Sequence, residues 1–205
     1  MTTTSTRGLD ATAIARVAVF AALIAVLGLL GAFTVFGAVP ITAQTLGVML
    51  AGAILGPWLG AASVGVFLAL VAAGLPLLAG GRGGIGVFVS PTAGYLAGWL
   101  AGVIVIGLIV RHRGRIPTPV RTVVGVLTGG ILVIYLFGIP VQSLVMRLPL
   151  GETALSSLVF LPGDLIKAVI ASVVVLTLVR AYPRAFRRET ITDAAETEER
   201  DPARV

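Results

Sequence analysis

The chain has 205 residues, of which 57% are hydrophobic and 12% are charged, and its formal net charge is +6. Soluble domains carry about 25% charged residues, so this composition excludes a soluble globular domain and indicates a membrane protein of a length that suits one domain. The absence of cysteine excludes disulfides, thiolate nucleophiles and cysteine-bound metals.

The apolar segments predict an all-α bundle of about six transmembrane helices, because a bilayer core of about 30 Å needs about 20 apolar residues in a helix. Between Arg16 and Arg111 the only charged residue is Arg82. The predicted helices cover approximately residues 14–30, 43–55, 59–77, 92–110, 120–137 and 162–182, and the fifth is open to extension past Pro140.

Polar ends flank the predicted membrane domain. The first apolar run continues to about Leu30 and further spans follow, so we interpret it as a retained first helix and not as a cleaved secretory signal. The C-terminal end is polar, acidic and predicted to be disordered. The sequence therefore divides into an N-terminal tail (1–11), a six-helix membrane domain (12–182) and a C-terminal tail (183–205).

Basic clusters predict the orientation of the helices. Arg7 and Arg16 precede the first helix, "RHRGRIPTPVR" (111–121) lies between the fourth and fifth, and "RAYPRAFRR" (180–188) follows the sixth. With six spans all three clusters fall on one side, which the preference for positive charge in cytoplasmic loops assigns to the cytoplasm, together with both termini. This topology accounts for the basic charge without nucleic acid, and it places the polar and glycine-rich connections outside, where they can capture a solute.

The segment "LPGDLIKAVIA" (161–171) places Asp164 and Lys167, the only lysine, at the head of the last helix. The helix dipole favours an anion at the position of Asp164, and the spacing of three puts both side chains on one face. An ionisable group at membrane depth costs about 2.5–3.5 kcal/mol, so it needs a partner or a cavity. The pair is either a structural ion pair at the interface or a grip on a polar ligand.

Two further segments offer polar groups on the outer side. "AGGRGGIGVFVSPTAGY" (79–95) surrounds Arg82 with glycine, which allows close approach to a ligand, and a guanidinium suits a carboxylate through two parallel hydrogen bonds. An ordinary outward turn with Arg82 at the headgroups is the alternative. In "VPITAQTL" (39–46), Thr42, Gln44 and Thr45 either cap the second helix or line the top of a pocket.

Small residues recur every four positions in the helices. Gly94, Gly98 and Gly102 form one such series, which predicts close helix packing. In the first helix, the pairs Ala18 with Ala22 and Ala21 with Ala25 either pack internally or form a docking face for another membrane protein.

Nothing in the sequence supports catalysis. His112 lies in a predicted cytoplasmic arginine cluster, on the opposite side from the candidate pocket. Neither an HExxH motif nor a carboxylate cluster for a metal is present, and no Walker motif is found. We therefore predict that the protein is not an enzyme and uses no metal or cofactor.

The order of these motifs, from "VPITAQTLGVMLAGAILGPWLG" through the glycine-rich loop and "PTAGYLAGW" to "PGDLIKAVIA", resembles the BioY family over about residues 12–182. That family comprises the biotin-binding S components of energy-coupling-factor (ECF) transporters. The resemblance implies a six-helix bundle in the cell membrane, surrounded by lipid. It also implies that the bundle captures external biotin and delivers it inward with a transmembrane scaffold subunit and two cytoplasmic ATPases.

The resemblance also implies roles for particular residues. It assigns the D-x-x-K pair and the glycine-rich loop to the bound biotin, and an alanine-x-x-x-alanine face of the first helix to the scaffold subunit. Either alanine pair, Ala18 with Ala22 or Ala21 with Ala25, fits that face. The implied substrate-binding residues are Asp164, Lys167, Arg82, Gln44, Tyr95, Gly81, Gly83 and Gly84.

Three alternatives stay open on the sequence. The first alternative is an S component or a solitary carrier for another small vitamin. The second is an intramembrane enzyme, and the third is a structural membrane protein. The position of His112 argues against an enzyme, and a structural protein gives no account of Lys167.

Overall fold

The computed structural model describes residues 11–29, 42–111 and 116–186, except for the side chains of residues 184 and 185. Within these ranges the fold is all-helical, and the one β-type pairing is an isolated bridge between Leu78 and Arg82. The α-helices are α1 (Ala11–Leu29), α2 (Gln44–Leu55), α3 (Pro57–Ala72), α4 (Ala93–Val110), α5 (Pro119–Leu127), α6 (Ile134–Met146), α7 (Leu150–Ser157) and α8 (Leu161–Ala181). A π-helical segment (Thr128–Val133) joins α5 to α6, and short 3₁₀ turns cover Ile85–Val89, Leu158–Phe160 and Pro183–Phe186.

Six apolar helical stretches run through the described part of the chain. Four of them are long and apolar enough to cross a bilayer, and α2 and α3 are shorter apolar helices. The prediction that the fifth helix continues past Pro140 is confirmed, since α5, the π-helical segment and α6 form one stretch from Pro119 to Met146. The long stretches are Ala11–Leu29, Ala93–Val110, Pro119–Met146 and Leu150–Ala181.

The third helix ends earlier than predicted. It was expected to extend to residue 77, but α3 ends at Ala72. Gly74 follows with a φ of 104°, a conformation that glycine adopts without steric cost, and Pro76 then biases its preceding residue away from helix. The Gly84 N–H donates to the Val71 carbonyl, so the next loop caps the end of α3. The residues after Ala72 thus belong to the glycine-rich loop.

The ends of the membrane domain also differ slightly from the prediction. Ala11, expected in the N-terminal tail, is the first residue of α1. The first four residues of the predicted disordered C-terminal tail form a 3₁₀ turn, in which Phe186 is buried. Residues 1–10 and 187–205, which contain the rest of both tails, lie outside the described residues, as do the loop residues 30–41 and His112.

Helix α4 lies at the centre of the bundle and packs against α2, α3, α5 and α6. The predicted packing role of its glycines is confirmed. A Cβ at Gly98 would approach the Ile134 backbone to 3.0 Å, and one at Gly94 or Gly102 would overlap carbonyl groups of the neighbouring stretch. Because lipid supplies no hydrophobic force between helices, this backbone contact is a main source of their association.

Four described arginines gather at the end of the bundle opposite the cavity, whereas Arg82 and Arg147 lie in the cavity half. The start of α1, the end of α4, the start of α5 and the end of α8 meet at one end, which we call the arginine end. It carries Arg16, Arg111, Arg121 and Arg180, and both described carboxylates, Glu152 and Asp164, belong to the opposite half. Large side chains exposed on the helix surfaces between the ends are apolar, as contact with acyl chains requires.

Candidate ligand-binding site

A cavity opens between α2, the loop after α3, α4, α6 and the start of α8. Its empty space, counted together with the open mouth, is about 650 Å³. The walls are mostly apolar and aromatic, and polar groups gather at two places. The apolar walls consist of Leu78, Tyr95, Leu96, Trp99, Ile134 and Phe160.

The first polar group is built around Asp164 and Lys167. Asp164 lies in the first turn of α8, which follows the 3₁₀ turn without a break, so that the Leu161 N–H already donates to the Leu158 carbonyl. Lys167 Nζ lies 2.7 Å from Asp164 Oδ1, and the side chains of the lysine and the aspartate are only 13% and 9% exposed. Burial makes each charge depend on the other, since an isolated ion at this depth would be costly.

All three N–H groups of Lys167 have partners. They are donated to Asp164 Oδ1, to the Thr42 carbonyl at 2.7 Å and to Thr45 Oγ1 at 3.0 Å. Lys167 therefore joins α8 to the beginning of α2. In this arrangement, the group with spare hydrogen-bonding capacity is the carboxylate, which has lone pairs beyond those used here.

Tyr135, at the start of α6, was missed by the sequence analysis. Its hydroxyl donates to Asp164 Oδ2 at 2.7 Å, and its ring meets that of Tyr95 edge-on with centroids 6.4 Å apart. Tyr135 thus orients the second carboxylate oxygen. The preceding "TGG" (128–130) is the sequence feature that marks this region. It begins the π-helical segment before α6, and its Gly130 lines the cavity.

Gln44 lines the cavity, but its amide is engaged by backbone groups. Gln44 Nε2 donates to the carbonyls of Ile24 and Leu77 at 3.3 and 3.0 Å, and Oε1 accepts from the Ala79 N–H at 3.2 Å. The side chain thereby ties α1 and the glycine-rich loop to the head of α2. Gln44 therefore stabilises the wall of the cavity.

Tyr95 contributes its ring to the cavity wall, while its hydroxyl points into a second buried network. It donates to Gln142 Oε1 at 2.8 Å and lies 3.3 Å from Ser157 Oγ. This network connects α4 with α6 and α7.

The glycine-rich loop supplies the second polar group, Arg82. Leu78 and Arg82 exchange two backbone hydrogen bonds, of 3.0 and 3.2 Å, around a tight turn in which Gly80 and Gly81 have positive φ. Arg82 Nε donates to the Ala79 carbonyl at 3.4 Å, and within the described residues the rest of the guanidinium has no ion pair. Arg82 is thus the cation at the cavity with donors to spare.

Three predicted glycines are placed near the cavity without lining it. Gly81 forms the tight turn, Gly83 packs against the Leu75 carbonyl, and Gly84 has a φ of 82° at the start of the following 3₁₀ turn. From this loop only Leu78 and Arg82 line the cavity.

The structure separates the two alanine pairs of α1. Ala18 and Ala22 are exposed, whereas Ala21 is buried in the core and Ala25 is half-buried against it. Only the first pair lies on a free surface of the described bundle.

The comparisons with known proteins agree with this architecture. The model of the BioY family matches residues 1–184. The chain is 45% identical to the biotin transporter BioY of Rhodobacter capsulatus over 179 residues (83% of this chain and 94% of that protein). It is 47% identical to the probable biotin transporter BioY of Bacillus subtilis over 172 residues (81% and 89%).

A solved structure is similar as well. The S-component for biotin from an ECF-type ABC transporter aligns with a TM-score of 0.77 and 37% identity, over 82% of this chain and 91% of that one. The family match covers most of the chain, and both relatives are matched over most of their length. The chain belongs to the BioY family.

Proposed function

We propose that the cavity binds biotin and that the chain is the substrate-binding component for biotin uptake across the cell membrane. The observation that carries this is a buried carboxylate, Asp164, and a free guanidinium, Arg82, on the lining of one apolar cavity in a BioY-family fold. Biotin uptake is also the role named for its relatives. As a member of a transport family, the chain is a transport component and not an enzyme.

The chemistry of biotin suits the two polar groups. Its ureido head has two N–H donors, its thioether ring is apolar and its tail ends in a carboxylate. Asp164 accepts from the ureido N–H groups, and Arg82 holds the carboxylate through charge-assisted hydrogen bonds. Trp99 and Ile134 are among the apolar wall residues, which cover the thioether ring of biotin between the two polar groups. In this arrangement Lys167 and Tyr135 fix the carboxylate of Asp164, and Gln44 stabilises the wall of the cavity.

The protein is a multi-pass protein of the plasma membrane, and the arginine end faces the cytoplasm. The four described arginines there, Arg16, Arg111, Arg121 and Arg180, have no described carboxylate among them, which is the asymmetry expected of a cytoplasmic side. The cavity then opens outward, and both termini are cytoplasmic.

Delivery of biotin requires partners that this chain does not contain. A transmembrane scaffold subunit and two cytoplasmic ATPases of an ECF transporter supply the energy, and the glycine-rich loop closes over the ligand before the chain reorients. The exposed pair Ala18 and Ala22 is the docking face for the scaffold, because small side chains allow close helix approach.

Biotin binding tests the site directly. Asp164→Asn or Lys167→Ala weakens biotin binding at least tenfold, about 1.4 kcal/mol, in calorimetry on the purified protein in detergent. Ser172→Ala is the matched control, since Ser172 is a buried polar residue of α8 that bonds only within its own helix. Unchanged affinity in both site variants would refute the proposed site.

Thermal-shift measurements with biotin, thiamine and riboflavin distinguish the alternative of an S component or solitary carrier for another vitamin. We expect stabilisation by biotin alone. Stabilisation by one of the other two, with none by biotin, overturns the assignment of the ligand while leaving the fold unaffected.

The docking face is tested with larger side chains. Ala22→Leu is expected to abolish co-purification with the scaffold subunit while biotin affinity stays unchanged. Ala97→Leu, at an exposed alanine of α4, is the control. If both variants retain the scaffold equally, the exposed alanine pair is not the docking face.

A further inference from the structure

The arginine end holds a pair of neighbouring cations without a described counter-charge. Arg111 follows directly after α4, and Arg16 lies one turn into α1. The two are close enough that Arg16 adds to burial in lowering the pKa of Arg111 below its usual value. Like charges held together at a partly buried place repel each other unless an anion lies between or beside them.

The surroundings of Arg111 satisfy it only in part. Its guanidinium lies over the ring of Phe186, 5.0 Å from the centroid, and its stem packs beside Gly56 at the turn between α2 and α3. Its Nη1 atom is buried and has no hydrogen-bond partner among the residues that the structure describes. Leaving a buried hydrogen-bond donor without an acceptor costs free energy, and the cost is larger when the donor belongs to a charged group. Binding of an additional acceptor at this site is therefore favourable.

The position of the pair indicates which acceptor is available. Trp58 and Tyr182, 73% and 67% exposed, lie at the same end of the bundle. Exposed tryptophan and tyrosine at the ends of membrane helices mark the level of the lipid headgroups. Arg16 itself is exposed on α1. The pair therefore lies at the depth where lipid phosphates are found.

We propose that Arg111 and Arg16 form a binding site for the phosphate of an anionic phospholipid. The phosphate lies between the two guanidiniums, beside the Phe186 ring. Anionic lipid is concentrated in the cytoplasmic leaflet, which matches the proposed topology. The bound lipid neutralises the repulsion between α1 and the end of α4, and so it stabilises the packing of α1.

Native mass spectrometry of the full chain in detergent tests this site. Phosphatidylglycerol and phosphatidylcholine with the same acyl chains are titrated separately. We expect saturable binding of one phosphatidylglycerol, about thirtyfold tighter than phosphatidylcholine, as ~1 kcal/mol for each of the two basic residues at the headgroups implies. Arg111→Gln and Arg16→Gln each lower this preference about fivefold, and Arg180→Gln, a loss of one exposed arginine at the same end, keeps it.

Several results overturn the proposal. Equal binding of the two lipids does so. An equal effect of Arg180→Gln shows diffuse attraction in place of a site. A third arm adds inorganic phosphate in a thermal-shift assay, and stabilisation equal to that by phosphatidylglycerol assigns the site to a free anion.

Folding of the variants is checked by biotin affinity, which none of these substitutions alters. Because Arg16 is exposed, Arg16→Gln folds even if Arg111→Gln does not, and it then decides the question alone. A lowered lipid preference with intact biotin affinity supports the site. An unaltered lipid preference in Arg16→Gln contradicts it.

Discussion

The ion pair between Asp164 and Lys167 makes a quantitative prediction for stability. Lys167→Met removes the ammonium but keeps most of the side-chain volume. Among the described residues, the carboxylate of Asp164, 9% exposed, then retains only the hydrogen bond from Tyr135. Leaving one partner of a buried pair uncompensated costs about 3–5 kcal/mol, so we expect a loss of unfolding free energy in that range. The partners at Thr42 and Thr45 are half-exposed and add little, because water replaces the ammonium there.

The double variant Asp164→Asn/Lys167→Met separates the ion pair from simple loss of packing. With a neutral amide at position 164, no buried charge is left, so the double variant is expected to be about 2–3 kcal/mol more stable than Lys167→Met alone. Reversible unfolding in mixed micelles, with Ser172→Ala as the control on the same helix, measures both values. If the double variant is no more stable than Lys167→Met, the two groups are not coupled and the reasoning on this site fails.

Three further predictions concern the walls and the packing. Tyr135→Phe weakens biotin binding at least tenfold, since a hydrogen bond to a charged group contributes about 1.5–3 kcal/mol, whereas Tyr95→Phe lowers stability more than affinity in the same calorimetric and unfolding measurements. Arg82→Gln weakens binding of biotin about tenfold but not that of uncharged biotin amide, and an equal loss for both ligands would show that Arg82 does not hold the carboxylate. Gly102→Ala destabilises the fold by about 1–3 kcal/mol because its Cβ would overlap the Gly129 carbonyl, whereas Gly65→Ala, with no atom within 4 Å, raises the melting temperature slightly.

The sequence allowed the helices to be predicted because membrane depth demands long apolar runs. The end of the third helix was predicted wrongly because an apolar run is not always helical. Residues 73–77 are as apolar as a helix requires, but Gly74 and Pro76 fix a backbone that leaves it. Hydropathy alone does not distinguish an apolar helix end from an apolar loop packed on the bundle.

The polar site was less accessible to sequence reasoning. Asp164 and Lys167 stood out as rare charges in an apolar segment, and Arg82 as the only charge over a long stretch. Tyr135 gave no comparable signal, because an isolated tyrosine in a membrane helix is ordinary. Its contact with Asp164 depends on the π-helical segment before α6, which sets the rotation of that helix. Likewise, the engagement of Gln44 by three backbone groups follows from the packing of α1 and the loop, which no single segment encodes.

The bond from Lys167 to the Thr42 carbonyl joins residues 125 positions apart in the chain. During synthesis, the head of the second span leaves the ribosome long before the last span does. The wall of the cavity is therefore complete only once the final helix has entered the bilayer, and we expect a chain that stops before Lys167 to retain no biotin. The ability to bind the ligand thus depends on synthesis of the last helix.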